Sequence, residues 1–302
     1  MGWRRRSCRS VIRLGTRASA LALAQAESVA ARLEDVRIVP ITTSGDRGSR
    51  DDKSRFVKEI EEALLAGEID LAVHSAKDVP GELPGGLSIV GVPERADPRD
   101  ALCGAESLDS LGDGAAVGTS SLRRRAQLLA LRPGLEVREL RGNVDTRLRR
   151  LADGDFDAIV VARAGLERLG RDGNGVPLAE LVPAPGQGCL ALEARADDDT
   201  AIEAAAGLTD RAALVALTAE RALVTALDAT CHTPIGAHAA PDGDALRVTA
   251  FVGLPDGSHW IRDTLERAAD DPAALGAEVA ERMSAAGASE LLTAAELAAT
   301  AR

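Results

Sequence analysis

The chain has 302 residues, enough for two or three domains, and its 45% hydrophobic and 27% charged residues are typical of a protein with a buried core. A formal net charge of −11 and only 2% aromatic residues argue against nucleic-acid binding, which usually needs a basic surface and aromatic rings for base stacking. No apolar run approaches the ~20 residues that span a bilayer, and the basic start has no signal-peptide core, so we expect a cytoplasmic protein.

Strand and helix patterns alternate along the first part of the chain. We predict strands at 11–14, 36–42 and 69–73 and helices at 20–33 and 56–66. This succession is typical of a mixed or parallel sheet with helices on its faces. Two prolines and dense charge at 91–102 then interrupt the pattern, and we expect an exposed crossover between domains there.

A second series of strands and helices follows the crossover. Strands predicted at 115–117, 136–140 and 157–161 each lead into a helical pattern, and PAPGQG predicts a hinge before a returning strand. The remaining chain predicts an α+β region. Its elements are a helix from 211 to 227, antiparallel strands at 245–254 and 258–265, and helices at 273–286 and 290–299.

Three strand-to-helix junctions, in LGTRAS, VGTSSLRRR and LRGNVDTRLRR, share one chemical pattern. Each combines small or hydroxyl residues at a helix start with nearby arginines, and both features favour anions. If the strand ends face one cleft, seven side chains would converge on an anionic ligand: Arg17, Ser19, Ser121, Arg123, Arg124, Arg141 and Arg147. Any one junction is better explained by helix caps and solvated arginines, but three together favour a polyanionic ligand. No GxxxxGK[ST] motif is present, which disfavours nucleotide hydrolysis.

The segment VHSAKDVP places polar residues at the end of a strand of the buried type. A carboxylate at Asp78 beside the ammonium of Lys77 would suit acid–base catalysis. The alternative is a surface ion pair in which Asp78 caps a turn before Pro80, and the residue types alone leave both interpretations open.

Cys231 lies in LDATCHTPIG, in a predicted loop between a helix and a strand. Its thiol could be a nucleophile or an attachment point, although a lone cysteine is more often a small buried side chain. The other cysteines are Cys8, Cys103 and Cys189; no CxxC pair occurs, so we expect neither a metal site nor a disulfide framework.

The ordered motifs LGTRASALALAQA, VHSAKDVP, GTSSLRRRAQL, LRGNVDTRLRRL, PAPGQG and CHTPIG together resemble the porphobilinogen deaminase family. The resemblance extends from about Arg13 to Gly236. It implies two α/β domains like those of periplasmic binding proteins and a smaller C-terminal α+β domain. The expected boundaries are 1–94, completed by a returning segment at about 189–206, then 95–188 and 207–302.

The resemblance also implies an activity and a cofactor. Members of the family are transferases that deaminate four porphobilinogen molecules and condense them head-to-tail into the linear tetrapyrrole hydroxymethylbilane, a step of haem biosynthesis. Their dipyrromethane cofactor is bound through a thioether to the cysteine that matches Cys231. A cytoplasmic monomer without nucleic-acid, membrane or metal partners is implied as well.

The family's functional residues match positions of this chain one by one. Asp78 matches the catalytic carboxylate. The positions that bind the cofactor match Lys77, Ser121, Arg123 and Arg124, and those that handle the substrate and growing chain match Arg17, Ser19, Arg141, Arg147 and Arg168.

Two segments depart from the family pattern, and two other functions remain open. Ala229-Thr230 stands where the family usually has Gly-Gly, and Ser54-Arg55 replaces Gly-Leu in a lid-like segment. The main alternative is a two-lobed binding protein for a small anion, without chemistry. A thiol hydrolase that uses Cys231 and His232 is the other, although no third, orienting residue can be identified.

Overall fold

A computed structural model describes residues 11–43, 57–229 and 233–300, without the side chains of residues 298–300. The chain forms two compact units, Met1–Pro93 with Leu190–Thr209 and Glu94–Cys189 with Asp210–Arg302. None of the described helices is long and apolar enough to cross a membrane.

Strands and helices are interspersed along the whole described chain. The strands are β1 (Ile12–Arg17), β2 (Val36–Ile41), β3 (Leu71–Ser75), β4 (Leu87–Gly91), β5 (Asp100–Cys103), β6 (Ala116–Gly118), β7 (Glu136–Arg138), β8 (Ala158–Ala162), β9 (Val176–Leu178), β10 (Leu190–Arg195), β11 (Ile235–Asp242), β12 (Ala245–Gly253) and β13 (Trp260–Ala268). The helices are α1 (Ala20–Ala30), α2 (Lys58–Leu65), α3 (Leu122–Leu131), α4 (Val144–Ala152), α5 (Arg163–Arg168), α6 (Asp199–Ala206), α7 (Arg211–Ala226), α8 (Pro272–Ala285) and α9 (Ala288–Thr300).

The first unit is built on a sheet of order β2-β1-β3-β10-β4. β2, β1 and β3 are parallel, and β10 is antiparallel to both β3 and β4. Because side chains alternate along each strand, the sheet has two apolar faces. α1 and α6 pack on one face, around Leu71 and Val73, and α2 packs on the other, around Ile69 and Ala72. Burial on both faces explains the continuous apolar run Leu71-Ala72-Val73 in the central strand β3.

The second unit contains a sheet of order β7-β6-β8-β5-β9 with the same pattern of directions. β7, β6 and β8 are parallel, and β5 is antiparallel to both of its neighbours. In each sheet the antiparallel strand is the one next to the third parallel strand. The chain therefore forms the same five-stranded arrangement twice, which confirms the expected pair of α/β sheets.

The C-terminal part of the second unit is an antiparallel sheet of order β11-β12-β13 covered by helices. Leu223 of α7 and Val279 and Met283 of α8 form one core with Val248 of β12. The predicted α+β region is thus confirmed. The predicted helices and strands are found apart from their ends, whereas β4, β5, β9, β11 and α6 were not predicted.

The prediction of an exposed crossover at 91–102 is wrong for its last three residues. β5 begins at Asp100, and Asp100, Ala101 and Leu102 are fully buried in the second sheet. The prolines and charges nearby concealed a four-residue strand, and β4 was missed for a similar reason, since strands this short have little periodicity to detect.

Candidate active site

A pocket in the first unit brings together four of the predicted site residues. Arg17, Ser19, Lys77 and Asp78 all line it. β1 and β3 are parallel neighbours, so their carboxyl ends meet at one edge of the sheet, where ligands of α/β proteins commonly bind. Arg17 ends β1, and the Lys77-Asp78 pair follows β3 directly. The motifs LGTRAS and VHSAKDVP thus meet at one pocket because of sheet topology.

Asp78 is the last residue of a 3₁₀ turn, Ala76–Asp78, that follows β3. Its side chain is half-buried at the pocket. Within the part of the chain that the structure describes, its carboxylate forms no ion pair with Lys77 and no capping hydrogen bond. This geometry favours a carboxylate presented to the pocket over one that stabilises the turn.

Ser19 caps a helix, as one of the two interpretations of its strand-to-helix junction predicted. It is the N-cap of α1, and its hydroxyl accepts a hydrogen bond from the Ala22 amide at 3.4 Å. Ser121 caps α3 in the same way and accepts from the Arg124 amide at 3.4 Å. Each hydroxyl stays at its helix start while it caps the helix, so capping is compatible with the predicted binding of an anion there.

A buried glutamine that the sequence did not reveal also lines the pocket. Gln25 of α1 is 3% exposed, and its Nε2 donates to the Ser75 hydroxyl at 2.9 Å. This bond ties α1 to the strand end that carries Lys77 and Asp78. The one available signal was a polar side chain on the buried face of LALAQA, where the neighbouring residues are apolar.

In the second unit, Arg123 and Arg124 are buried around one carboxylate. Arg123 Nη1 donates to Asp100 Oδ2 at 2.7 Å, and Arg124 Nε donates to Oδ1 at 2.9 Å. Gln187 Nε2 also donates to Oδ1, at 2.9 Å. The carbonyl oxygens of Val182 and Val160 accept further bonds from the two guanidinium groups, at 2.6 Å and 3.0 Å.

This network carries an excess of positive charge. Burial alone would raise the pKa of Asp100, but the charges of Arg123 and Arg124 outweigh it and hold that pKa well below its usual range. The buried network therefore contains two cations and one anion. Burial and the charge of Arg124 also lower the pKa of nearby Arg147, to about 10, so Arg147 remains protonated at neutral pH. Such a place favours an anionic ligand.

The remaining predicted arginines differ in exposure. Arg147 donates to the Gly142 carbonyl at 2.8 Å and lies 3.4 Å from the Ser120 hydroxyl. Arg141 is exposed and pairs with Glu139 at 2.7 Å. Arg168 donates to the Gly188 carbonyl at 2.7 Å, and burial lowers its pKa. Arg141 is thus the most freely solvated of the three.

Cys231 and Cys8 lie outside the described residues. The other two cysteines, Cys103 and Cys189, are buried, and burial raises the pKa of their thiols to about 11 and about 12, respectively. Neither would ionise at neutral pH, so neither is suited to nucleophilic attachment. Within the described ranges, no group of three or more metal-ligating side chains is found.

Comparison with known proteins agrees with the motifs. The family model described as porphobilinogen deaminase, dipyromethane cofactor binding domain, matches residues 12–203, and the one described as porphobilinogen deaminase, C-terminal domain, matches 214–285. Proteins named porphobilinogen deaminase from Deinococcus radiodurans and Roseiflexus sp. are 47% and 48% identical to this chain. The alignments cover 94% and 89% of this chain and 98% and 94% of theirs.

Among solved structures, a TRAP periplasmic solute binding protein from Desulfovibrio salexigens aligns with 66% of this chain and 72% of its own, at 13% identity and a TM-score of 0.41. The family assignment rests on the sequence matches, which extend over both units. Two family models in succession and relatives at nearly half identity show that this chain belongs to the porphobilinogen deaminase family.

Proposed function

We propose that this chain deaminates porphobilinogen and condenses four molecules into hydroxymethylbilane, with Asp78 as the catalytic carboxylate. The observation that carries the assignment of Asp78 is its position: a half-buried carboxylate in a pocket that Arg17 and Lys77 also line. A negative group among cations suits a substrate with both a cationic aminomethyl group and carboxylates.

The chemistry assigns Asp78 two tasks. In the first, the carbon–nitrogen bond of the aminomethyl group breaks and ammonia leaves, so a cation develops on the pyrrole, which the Asp78 carboxylate stabilises. In the second, a new carbon–carbon bond forms at that methylene, and the attacking ring loses a proton, which the same carboxylate accepts. Dipyrromethane, when bound, supplies the pyrrole carbon that attacks first.

The buried arginines fit a dipyrromethane, which carries two carboxylates on each ring. Arg123 and Arg124 share one carboxylate, that of Asp100, so the network lacks one negative charge. Nε of Arg123 is buried and has no hydrogen-bond partner within the described residues. We infer that Arg123 and Arg124, with Ser121 and Lys77, bind the cofactor's carboxylates, and that Cys231 holds it covalently.

The substrate and the growing chain add further carboxylates. We assign their binding to Arg17 and Ser19 at the pocket and to Arg141, Arg147 and Arg168 in the second unit. The lowered pKa values of the half-buried Arg147 and Arg168 support this, because an anion stabilises a guanidinium group that is partly removed from water. We further propose that the enzyme is a cytoplasmic monomer with the three-domain division that the family implies; light scattering of the purified protein tests its oligomeric state.

Replacing Asp78 by asparagine tests its role. Asp78→Asn keeps the side chain's shape and removes its charge, so we expect porphobilinogen consumption to fall ~10²–10³-fold with little change in Tm. Asp78→Glu keeps the charge one methylene away and should retain measurable activity. Both variants are assayed for consumption and for Tm after cofactor loading.

Asp197→Asn is the matched control, because Asp197 is exposed in the same unit. It should change neither quantity. If Asp78→Asn consumed porphobilinogen at the wild-type rate but melted early, Asp78 would be a structural residue and the assignment would be wrong.

A further inference from the structure

Three ionisable side chains outside the proposed chemistry meet beneath helix α2. His74 of β3, Glu193 of β10 and Glu61 of α2 are 4%, 1% and 7% exposed. Glu193 pairs with Ala72 across the antiparallel β3–β10 ladder, two residues from His74, so both side chains lie on the same face of the sheet. His74 Nε2 is 3.0 Å from Glu193 Oε2.

The surroundings of this cluster are apolar. Ile60 and Leu64 of α2 pack there against Ala72 of β3 and against Ile69, which lies just before that strand. The 3.0 Å contact between His74 Nε2 and Glu193 Oε2 lacks hydrogen-bond geometry. Within the part of the chain that the structure describes, these two atoms, Glu193 Oε1 and Glu61 Oε1 therefore have no hydrogen-bond partner. Charges in such a layer are costly unless they cancel one another.

The charges of the cluster cancel only if it holds two protons. The single imidazole of His74 can offset at most one carboxylate, so at least one of the two carboxyl groups must be protonated. Other charged groups lie on the elements packed against α2, but Arg13 binds Asp70, and Arg195 binds Asp198 and the Leu64 carbonyl. The remaining charged groups on α2, at the end of β1 and in the turn after β3 are Lys58, Glu59, Glu62, Arg17, Lys77 and Asp78. β4 contributes none.

We propose that Glu61 is a positioning residue for the reaction: only with its carboxyl protonated does α2 sit closely on the sheet and hold Val57 in the wall of the Asp78 pocket. Val57 is the N-cap of α2, is 2% exposed and lines the same pocket as Asp78. Ionisation of Glu61 leaves a net negative charge under the helix, which weakens its packing. The effect on catalysis rests on the proposed function, whereas the effect on α2 does not.

The direction of the pH dependence follows from the same surroundings. Burial and the charge of Glu193 raise the pKa of Glu61 to about 7, against the opposing charge of His74. The folded state thus binds more protons than the unfolded state between about pH 4.5 and 7. The stabilisation by protonated Glu61 is complete below that range and is lost as the pH rises to 7 and above.

Hydrogen exchange of α2 amides, corrected for intrinsic rates and compared with α1, tests the proposal. From pH 5.5 to 8.5 the protection of α2 in the wild type should fall by up to about 30-fold relative to that in Glu61→Gln. Glu68→Gln, an exposed change just after the helix, should behave like the wild type. If Glu61→Gln does not fold, Glu193→Gln serves instead: removing the charge of Glu193 lowers the pKa of Glu61 in the folded state, so the loss of protection should be smaller and should end at a lower pH.

Porphobilinogen consumption by the same proteins tests the link to the pocket. Above pH 7, KM should rise for the wild type and for Glu68→Gln but stay constant for Glu61→Gln. An α2 protection that responds to pH equally with and without Glu61 would overturn the proposal, and so would a pH-dependent α2 with identical KM profiles. If even the wild type consumed no porphobilinogen, the proposed function would fail, while the response of α2 would still decide the role of Glu61 in the fold.

Discussion

Asp100 is fully buried between two guanidinium groups, and its single charge compensates part of the cost of burying them. Its bond to Gln187 also connects β5, and through Arg123 and Arg124 also α3, to the segment that returns to the first unit. Asp100 thereby determines where the side chains of Arg123 and Arg124 lie, to which we assign the binding of the cofactor's carboxylates.

Replacing Asp100 by asparagine should be strongly destabilising. Asp100→Asn leaves two buried guanidinium groups without a counter-charge, and we expect the free energy of unfolding to fall by ~3–5 kcal/mol. Urea denaturation measures this. Asp109→Asn is the matched control, since Asp109 pairs with Arg132 at 3.4 Å but its side chain is 95% exposed, and it should cost at most ~0.5 kcal/mol. Equal losses in the two variants would show that the buried network contributes no more than a surface pair.

Sequence patterns indicated candidate site residues but not the contacts that hold them in place. The position of Asp78 after a buried strand and the arginines at helix starts were visible as motifs, because helix and strand ends have local signals. Asp100, Gln25 and the His74–Glu193 pair were not, because each acts through a contact with a residue far away in the chain. Cys231 lies outside the described residues, and its role as the attachment point stays a prediction.

At the scale of elements, long periodic segments were predicted correctly and short strands were not. α7 and α8 carry clear helical patterns, whereas β5 has four residues in a charged stretch. The turn between β12 and β13 contains Pro255-Asp256-Gly257, residue types that are typical of turns. The structure adds its purpose: this turn packs on α3, where Arg125 Nε donates to the Pro255 carbonyl at 3.2 Å.

Gly257 in that turn should not tolerate a side chain. Its φ is +74°, and an added Cβ would lie 2.5 Å from the Ala130 nitrogen and 2.5 Å from the Leu129 carbonyl carbon. We expect Gly257→Ala to lower the free energy of unfolding by ~2–4 kcal/mol, from strain and overpacking together. Gly243→Ala separates the two causes, because Gly243 has φ +58° and open space around it, so it should cost only ~1–2 kcal/mol. An equal loss of unfolding free energy in both variants would mean that the turn shifts to accommodate the added methyl group and that overpacking contributes nothing.

At the scale of the whole molecule, the sequence indicated the class of fold but not the order of the strands. That order depends on β10, which follows the strands of the second sheet in the chain and yet pairs between β3 and β4 of the first. No local pattern encodes such a pairing. The PAPGQG punctuation predicted a returning strand, and only the structure shows its place.

A property of the whole protein, its covalent mass, distinguishes the enzyme from an anion-binding protein. If Cys231 carries the dipyrromethane, denaturing mass spectrometry of the wild type should show an adduct, and Cys231→Ser should lack both the adduct and activity. Cys8→Ser, Cys103→Ser and Cys189→Ser are the controls and should keep both; burial and a raised thiol pKa already make Cys103 and Cys189 unsuitable for attachment. Because the measurement is made on unfolded chains, a noncovalent ligand would not be counted. A wild-type mass equal to that of the bare polypeptide would favour the binding protein, and an adduct that persists in Cys231→Ser would place the cofactor on another residue.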